Sequence, residues 1–154
     1  MKPSRINQIG PPRFGIAVHA LVWLANSGGV LSSAVIAGQV NSHSTFLRRV
    51  LALLTQFGIV EAREGRDGGY YLKIPADRLT LADVYIAVKS ECTEVCTESD
   101  VDCGEAGKQL DYALERIMSE AEDQTITWLK RYTLADLMQG IDFGPLTNHP
   151  TCNE

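Results

Sequence analysis

Arg63–Glu64–Gly65–Arg66–Asp67–Gly68–Gly69–Tyr70–Tyr71 lies between two short apolar runs, Gly58–Ile59–Val60 and Tyr71–Leu72–Lys73–Ile74. Glycines here supply the positive φ that tight hairpins need, so the stretch reads as two strands joined by an arginine-bearing tip. Glycine-rich hairpins are common, and the order of elements is what gives this one meaning. Just before it stands Phe46–Leu47–Arg48–Arg49–Val50–Leu51–Ala52–Leu53–Leu54, an amphipathic helix with paired arginines on its polar side. A basic helix followed by such a hairpin suits a module that grips a nucleic-acid duplex. The helix enters a groove while the tip reaches the backbone or the adjacent minor groove.

Upstream, Phe14, Val18, Leu21, Val22 and Ala25 recur at helical spacing, which predicts a helix over 12–26. Pro11 and Pro12 suit its start, and Asn26–Ser27–Gly28–Gly29 its end. Ser32 or Ser33 is placed to cap a short helix through Val40, with Val35, Ile36 and Val40 inward. A third helix is expected from Ser44 to Gln56, stopped at Gly58. Three helices and a two-stranded hairpin outline a winged helix-turn-helix. Its recognition helix offers Ser42, His43, Ser44, Thr45, Arg48 and Arg49, residue types that bond phosphates and base edges. Arg63 and Arg66 do the same for the wing.

Downstream, Leu79–Val88 reads as a fourth helix capped by Thr80, with Asp83 at the capping-box position. An acidic loop follows, then a long helix from about Glu105 to Tyr132. Leu110, Leu114, Ile117, Ala121, Trp128 and Leu129 form one apolar stripe along it. A helix of this length in a small protein suits pairing with a second copy; the alternative is packing back over its own domain. The expected fold is mainly α with a small β-hairpin. Residues 1–89 form the winged helix-turn-helix, 90–104 a cysteine-bearing sensor loop, 105–139 a dimerisation helix region and 140–154 a loose tail. No internal repeat or low-complexity segment stands out.

The 45% hydrophobic content of the 154 residues excludes a disordered chain. No apolar run approaches the ~20 residues of a membrane span. The start, Met1–Lys2–Pro3–Ser4–Arg5, lacks a signal peptide's apolar stretch, so a cytoplasmic protein is expected. The net charge of −5 is unevenly divided. Residues 1–74 carry eight Lys/Arg against three Asp/Glu, and residues 75–154 six against sixteen. The basic half contains the helix and hairpin, which is the electrostatic footprint of a polyanion binder.

The ordered set resembles the Rrf-two (Rrf2) family of bacterial winged-helix transcription regulators, the group of IscR, NsrR and CymR. It rests on Arg13–Phe14–Gly15–Ile16–Ala17–Val18–His19–Ala20–Leu21, Phe46–Leu47–Arg48–Arg49–Val50–Leu51, Gly65–Arg66–Asp67–Gly68–Gly69–Tyr70 and Leu79–Thr80–Leu81–Ala82–Asp83–Val84–Tyr85–Ile86–Ala87–Val88. The resemblance covers about residues 12–132. It implies a homodimer joined through the 105–132 helix, double-stranded DNA with two-fold-related half-sites as partner, and no enzymatic activity. It adds Gly68, Gly69 and Tyr70 to the DNA-contact candidates. Where the family usually has Arg-Gly before the double glycine, this chain has Glu64–Gly65. A carboxylate there repels phosphate, leaving the contact to Arg63 or Arg66.

Cys92, Cys96 and Cys103 crowd into twelve residues, spaced Cys-x3-Cys-x6-Cys, with Cys152 far away in the tail. Three thiols on a short loop can wrap one metal centre. Family members with iron–sulfur clusters carry three cysteines in this loop, more widely spaced between the first two. A fourth ligand, such as His19 or Glu105, would come from elsewhere. Residues 91–105 hold six carboxylates and no Lys or Arg, a field that favours a bound cation and disfavours a reactive thiolate. The readings are thus a cluster, a thiol/disulfide switch, a zinc or other cation site, or no sensing role. For the whole protein, the competing classes are a redox protein or electron carrier and a winged-helix adaptor that binds only protein. No Cys-x-x-Cys, acid/base pair or nucleotide loop supports the former.

Overall fold

The computed structural model describes residues 12–40, 42–89 and 104–144. Helix α1 (Pro12–Ser27) is apolar on nearly every side: Ile16, Ala17, Val18, Ala20, Leu21, Val22 and Leu24 are all buried. A helix like that can only be central, and α2, α3, α4, α6 and the second strand all pack on it. It ends where Gly28 takes φ 63° and its N–H returns to the Leu24 carbonyl at 3.2 Å. His19 on α1 is half-buried, and that burial lowers its pKa below the ordinary imidazole value.

Helix α2 (Ser33–Val40) starts from Ser32, whose hydroxyl accepts the Val35 N–H at 3.3 Å. Helix α3 (Ser44–Gln56) buries Leu47, Val50, Leu51 and Leu54 completely. Gly58, at φ 71°, lets the Ile59 N–H reach the Leu54 carbonyl at 3.0 Å and turns the chain into the hairpin. Strands β1 (Val60–Arg63) and β2 (Gly69–Leu72) are antiparallel, with Val60 opposite Leu72 and Arg63 opposite Gly69. They sit closer to the tip than the apolar runs suggest, because Ile59 belongs to the close of α3 and β1 beyond Val60 stands exposed. Leu31 adds a one-residue third strand, exchanging hydrogen bonds of 2.9 and 2.8 Å with Tyr70.

Helix α4 (Leu81–Lys89) has the expected capping box: the Thr80 N–H donates to Asp83 Oδ2 (3.1 Å) and the Asp83 N–H to Thr80 Oγ1 (3.2 Å). Helix α5 (Gly104–Leu129), about 39 Å long at ~1.5 Å per residue, buries none of its residues. It does not fold back over the domain. It leans on α4 through one side near its C-terminal end, where Glu122, Ile126 and Leu129 are half-buried. Trp128, read as core or interface, is 55% exposed, with the Arg131 guanidinium 4.6 Å from its ring centroid.

The long helix stops at Leu129 rather than Tyr132, and a short α6 (Leu134–Met138) that the apolar pattern did not reveal returns to the domain. Its start repeats an earlier tetrapeptide. Thr133–Leu134–Ala135–Asp136 copies Thr80–Leu81–Ala82–Asp83, and both form capping boxes. The copies lie side by side, Thr80 bridging Thr133, with Leu81 N–H on the Tyr132 carbonyl (2.9 Å) and Leu134 N–H on the Leu79 carbonyl (2.8 Å). Beyond α6, in the stretch read as loose, Phe143 packs edge-on against Trp23 with centroids 5.6 Å apart.

Two groups give a pH prediction. The Thr133 backbone and hydroxyl bonds hold the Asp136 carboxyl below the ordinary carboxylate range. Both folded-state pKa values are lowered, so the unfolded chain binds protons first as pH falls, and stability is lost on acidification. His19's contribution is complete above about pH 6.5 and is lost as pH falls toward its folded value. Asp136's is lost only at more acidic pH. Thermal melts between pH 7.5 and 5 should show a decline that His19→Gln flattens; an unchanged decline assigns it elsewhere.

Candidate nucleic-acid interface

The polar face of α3 contains no acidic residue. Ser44, Thr45, Arg48 and Arg49 are exposed on it, together with Ala52 and Gln56, which the sequence reading did not single out. Ala52 is legible as a small residue in the middle of an exposed helix face, where a short side chain lets a duplex approach closely. Ser42 is half-buried in the turn and His43 is exposed at the N-cap position. His43 makes no side-chain cap, and among the described residues no side chain meets the first N–H groups of α3. Unfilled amides at a helix N-terminus attract phosphate. Among the described residues, Arg48, Arg49, Arg63 and Arg66 take part in no ion pair.

The hairpin leaves the end of α3, and β1 packs against it, so helix and wing form one continuous surface. Arg63, Glu64, Arg66 and Asp67 are all exposed around the tip. Their formal charges cancel, so the tip lacks the net positive field of α3. Glu61, lower on β1, is engaged by Lys73 at 3.7 Å and by its cross-strand neighbour Tyr71, whose phenol pKa is raised chiefly by that hydrogen bond.

The two glycines and Tyr70 have packing roles in the described structure. A Cβ on Gly68 would lie 2.5 Å from the Arg63 carbonyl oxygen, and one on Gly69 2.3 Å from that of Leu31. Gly68 closes the tip by donating to the Gly65 carbonyl at 3.0 Å, with Gly65 at φ 111°. Tyr70 packs against the core while its backbone holds Leu31. Gly69 therefore lets the wing dock against the loop between α1 and α2, while Gly68 lets the tip itself close. Cys92, Cys96, Cys103 and Cys152 lie outside the described residues. Lys89 and Gly104 flank the three-cysteine stretch as the last residue of α4 and the first of α5.

Comparison with known proteins agrees with this architecture. The family model Rrf2, described as "Iron-dependent Transcriptional regulator", matches residues 12–140. YwnA of Bacillus subtilis, whose name assigns it to the HTH-type transcriptional regulators, is 30% identical over 128 residues, covering 82% of this chain and 94% of YwnA. The HTH-type transcriptional regulator IscR of Cereibacter sphaeroides is 26% identical over 127 residues, covering 80% of this chain and 82% of that protein. The solved structure of T. potens IscR has the same fold, with a TM-score of 0.62 at 18% identity over 92% of this chain and 97% of that one.

Proposed function

Because this chain belongs to the Rrf2 family of DNA-binding transcriptional regulators, we propose that it acts in the cytoplasm as a homodimer. Two α3 helices read two-fold-related half-sites, and chemistry at the cysteine stretch tunes the affinity. The observation that carries the DNA-reading surface is the acid-free face of α3, with two unpaired arginines and uncapped N-terminal amides, continuous with an exposed hairpin. The reading divides the chain into a DNA-binding part (1–89), a cysteine-bearing sensor segment (90–104), a dimerisation region (105–139) and a tail (140–154). The exposed stripe of α5, with Leu110, Leu114, Ile117 and Met118 each more than half exposed, is the proposed dimer face. Dimerisation through it places two recognition helices about one DNA turn apart.

Salt titration of duplex binding tests the surface. Arg48→Ala and Arg66→Ala should each weaken binding to all duplexes and reduce the log–log salt slope by ~1 per protomer. Glu64→Arg should do the reverse, because it turns a neutral tip into a cationic one. Unchanged binding in both hairpin variants removes the wing from the interface.

At the sensor segment the preferred reading is an iron–sulfur cluster. The donor set fits: three thiols, Cys92, Cys96 and Cys103, with exposed Glu105 among the candidates for the remaining position. The family's description as iron-dependent favours it over a thiol/disulfide switch. A bound cluster supplies iron- or redox-dependent ligation of a segment whose ends are α4 and α5. Anaerobic purification with an absorption spectrum and iron and sulfide analysis tests this. A colourless, iron-free protein removes the cluster and leaves the thiol switch.

A further inference from the structure

Among the described elements, helix α5 carries the exposed apolar stripe proposed as the dimer face and also leans on α4 of its own domain. How it is seated on α4 therefore decides where the DNA-reading surface points. On the side facing α4, Ile126 and Leu129 are apolar and Glu122 is the charged member. Apolar contacts are non-directional and tolerate a rotation or a slip. A carboxylate held by two donors does not.

Glu122 is held in that way. The Tyr85 hydroxyl donates to its Oε1 at 3.4 Å, and the Lys89 ammonium donates to its Oε2 and forms an ion pair with it. Tyr85 and Lys89 stand one turn apart on α4, so the two bonds define both the rotation of α5 and its height along α4. Tyr85 is itself seated on α1, its ring edge-on to Phe14 at 5.7 Å. A line of contacts thus runs from α1, the central helix, through Tyr85 and Glu122 into α5. The exposed stripe of α5 lies roughly a quarter-turn round the helix from Glu122. A residue's slip of α5 on α4 would therefore swing the stripe by about 100° and carry the reading domain with it.

We propose that Glu122 is a positioning residue that, by clasping Tyr85 and Lys89, sets the spacing between the two half-sites that the dimer can read. The role rests on the proposed dimeric DNA reading. It goes beyond it in naming the side chain that fixes the geometry. Lys89 is also the last residue of α4, three positions before Cys92 in the sequence.

The test measures affinities of the full chain for duplexes selected from a random pool, resynthesised with the half-sites moved apart or together by one and two base pairs. Wild type should show a narrow optimum. Glu122→Ala should flatten it, so that the preference for the best spacing over its one-base-pair neighbours falls at least fivefold. Affinity for a single half-site and the melting temperature should change little. Glu122→Gln, which can still accept from Tyr85, should fall between. Lys89→Glu should flatten the profile, and combining it with Glu122→Lys should restore the narrow optimum. A wild-type profile retained in Glu122→Ala or in Lys89→Glu overturns the role while leaving DNA reading intact. Failure of wild type to bind any duplex overturns the underlying reading and this role with it.

Discussion

Leu114→Glu combined with Ile117→Glu is expected to give a folded monomer whose affinity for a two-half-site duplex is lower by roughly 10²–10⁴-fold. Leu114 and Ile117 are 55% and 57% exposed in the single chain, and neither belongs to its described core, so carboxylates there leave that core intact. The core, made of α1 to α4, the hairpin and Leu134 of α6, does not include α5. In the proposed dimer the same two positions face a partner's apolar stripe, and four introduced carboxylates would be placed in an apolar seam. Losing the dimer turns the second half-site from an intramolecular into a bimolecular event, which is the origin of the large factor. Sedimentation velocity should show the shift to monomer, and the helical circular dichroism should persist. A dimer that survives both charges assigns the interface to another surface.

Gly69→Ala should lower stability by about 3 kcal/mol, the upper end of what overpacking costs, and the melting temperature by roughly 6–12 °C. The added methyl would sit 2.3 Å from the Leu31 carbonyl oxygen and 2.9 Å from the Ser32 nitrogen, both backbone atoms that cannot swing aside. Relief requires parting β2 from Leu31, with loss of the paired hydrogen bonds to Tyr70. Since that pairing is what seats the wing, DNA affinity should fall even at temperatures where the variant is folded. Gly29→Ala is the control: its Cβ meets nothing within 4 Å, and it should change stability by less than about 0.5 kcal/mol. Equal melting temperatures for the two variants would mean that the wing does not press on the loop between α1 and α2.

Helix α3 was legible to its ends, because Leu47, Val50, Leu51 and Leu54 repeat at helical spacing and Gly58 stops the turn. The capping box at Thr80 and Asp83 was equally plain. The hairpin was legible as a hairpin but not in its register. Ile59 looks like a strand residue, yet it closes α3, while exposed Glu61, Ala62 and Arg63 pair as strand without an apolar signal. The need for Gly69 could not be read at all, since it arises from the approach of Leu31, thirty-eight positions away. Helix α6 was missed because five residues give no periodicity, although Thr133–Leu134–Ala135–Asp136 repeats a cap recognised earlier. Of the DNA-contact candidates, Ser44, Thr45, Arg48 and Arg49 on α3 are exposed. Gly68, Gly69 and Tyr70 turn out to hold the wing together, a role that composition cannot separate from contact. Glu122 was invisible as anything but one charge among many on a long helix, because its significance lies in two residues of α4.

The central claim, that this chain is a dimer reading a two-fold-related duplex through α3 and the wing, is tested most directly by combining stoichiometry with salt dependence. A duplex is selected from a random pool by the purified protein and titrated from 50 to 200 mM salt, with the complex's mass read by sedimentation. The expected result is two chains per duplex, a selected sequence with two-fold symmetry, and a log–log slope of roughly −5 or steeper, from at least three phosphate contacts per protomer at ~0.9 each. One chain per duplex, or a slope near zero, would contradict it.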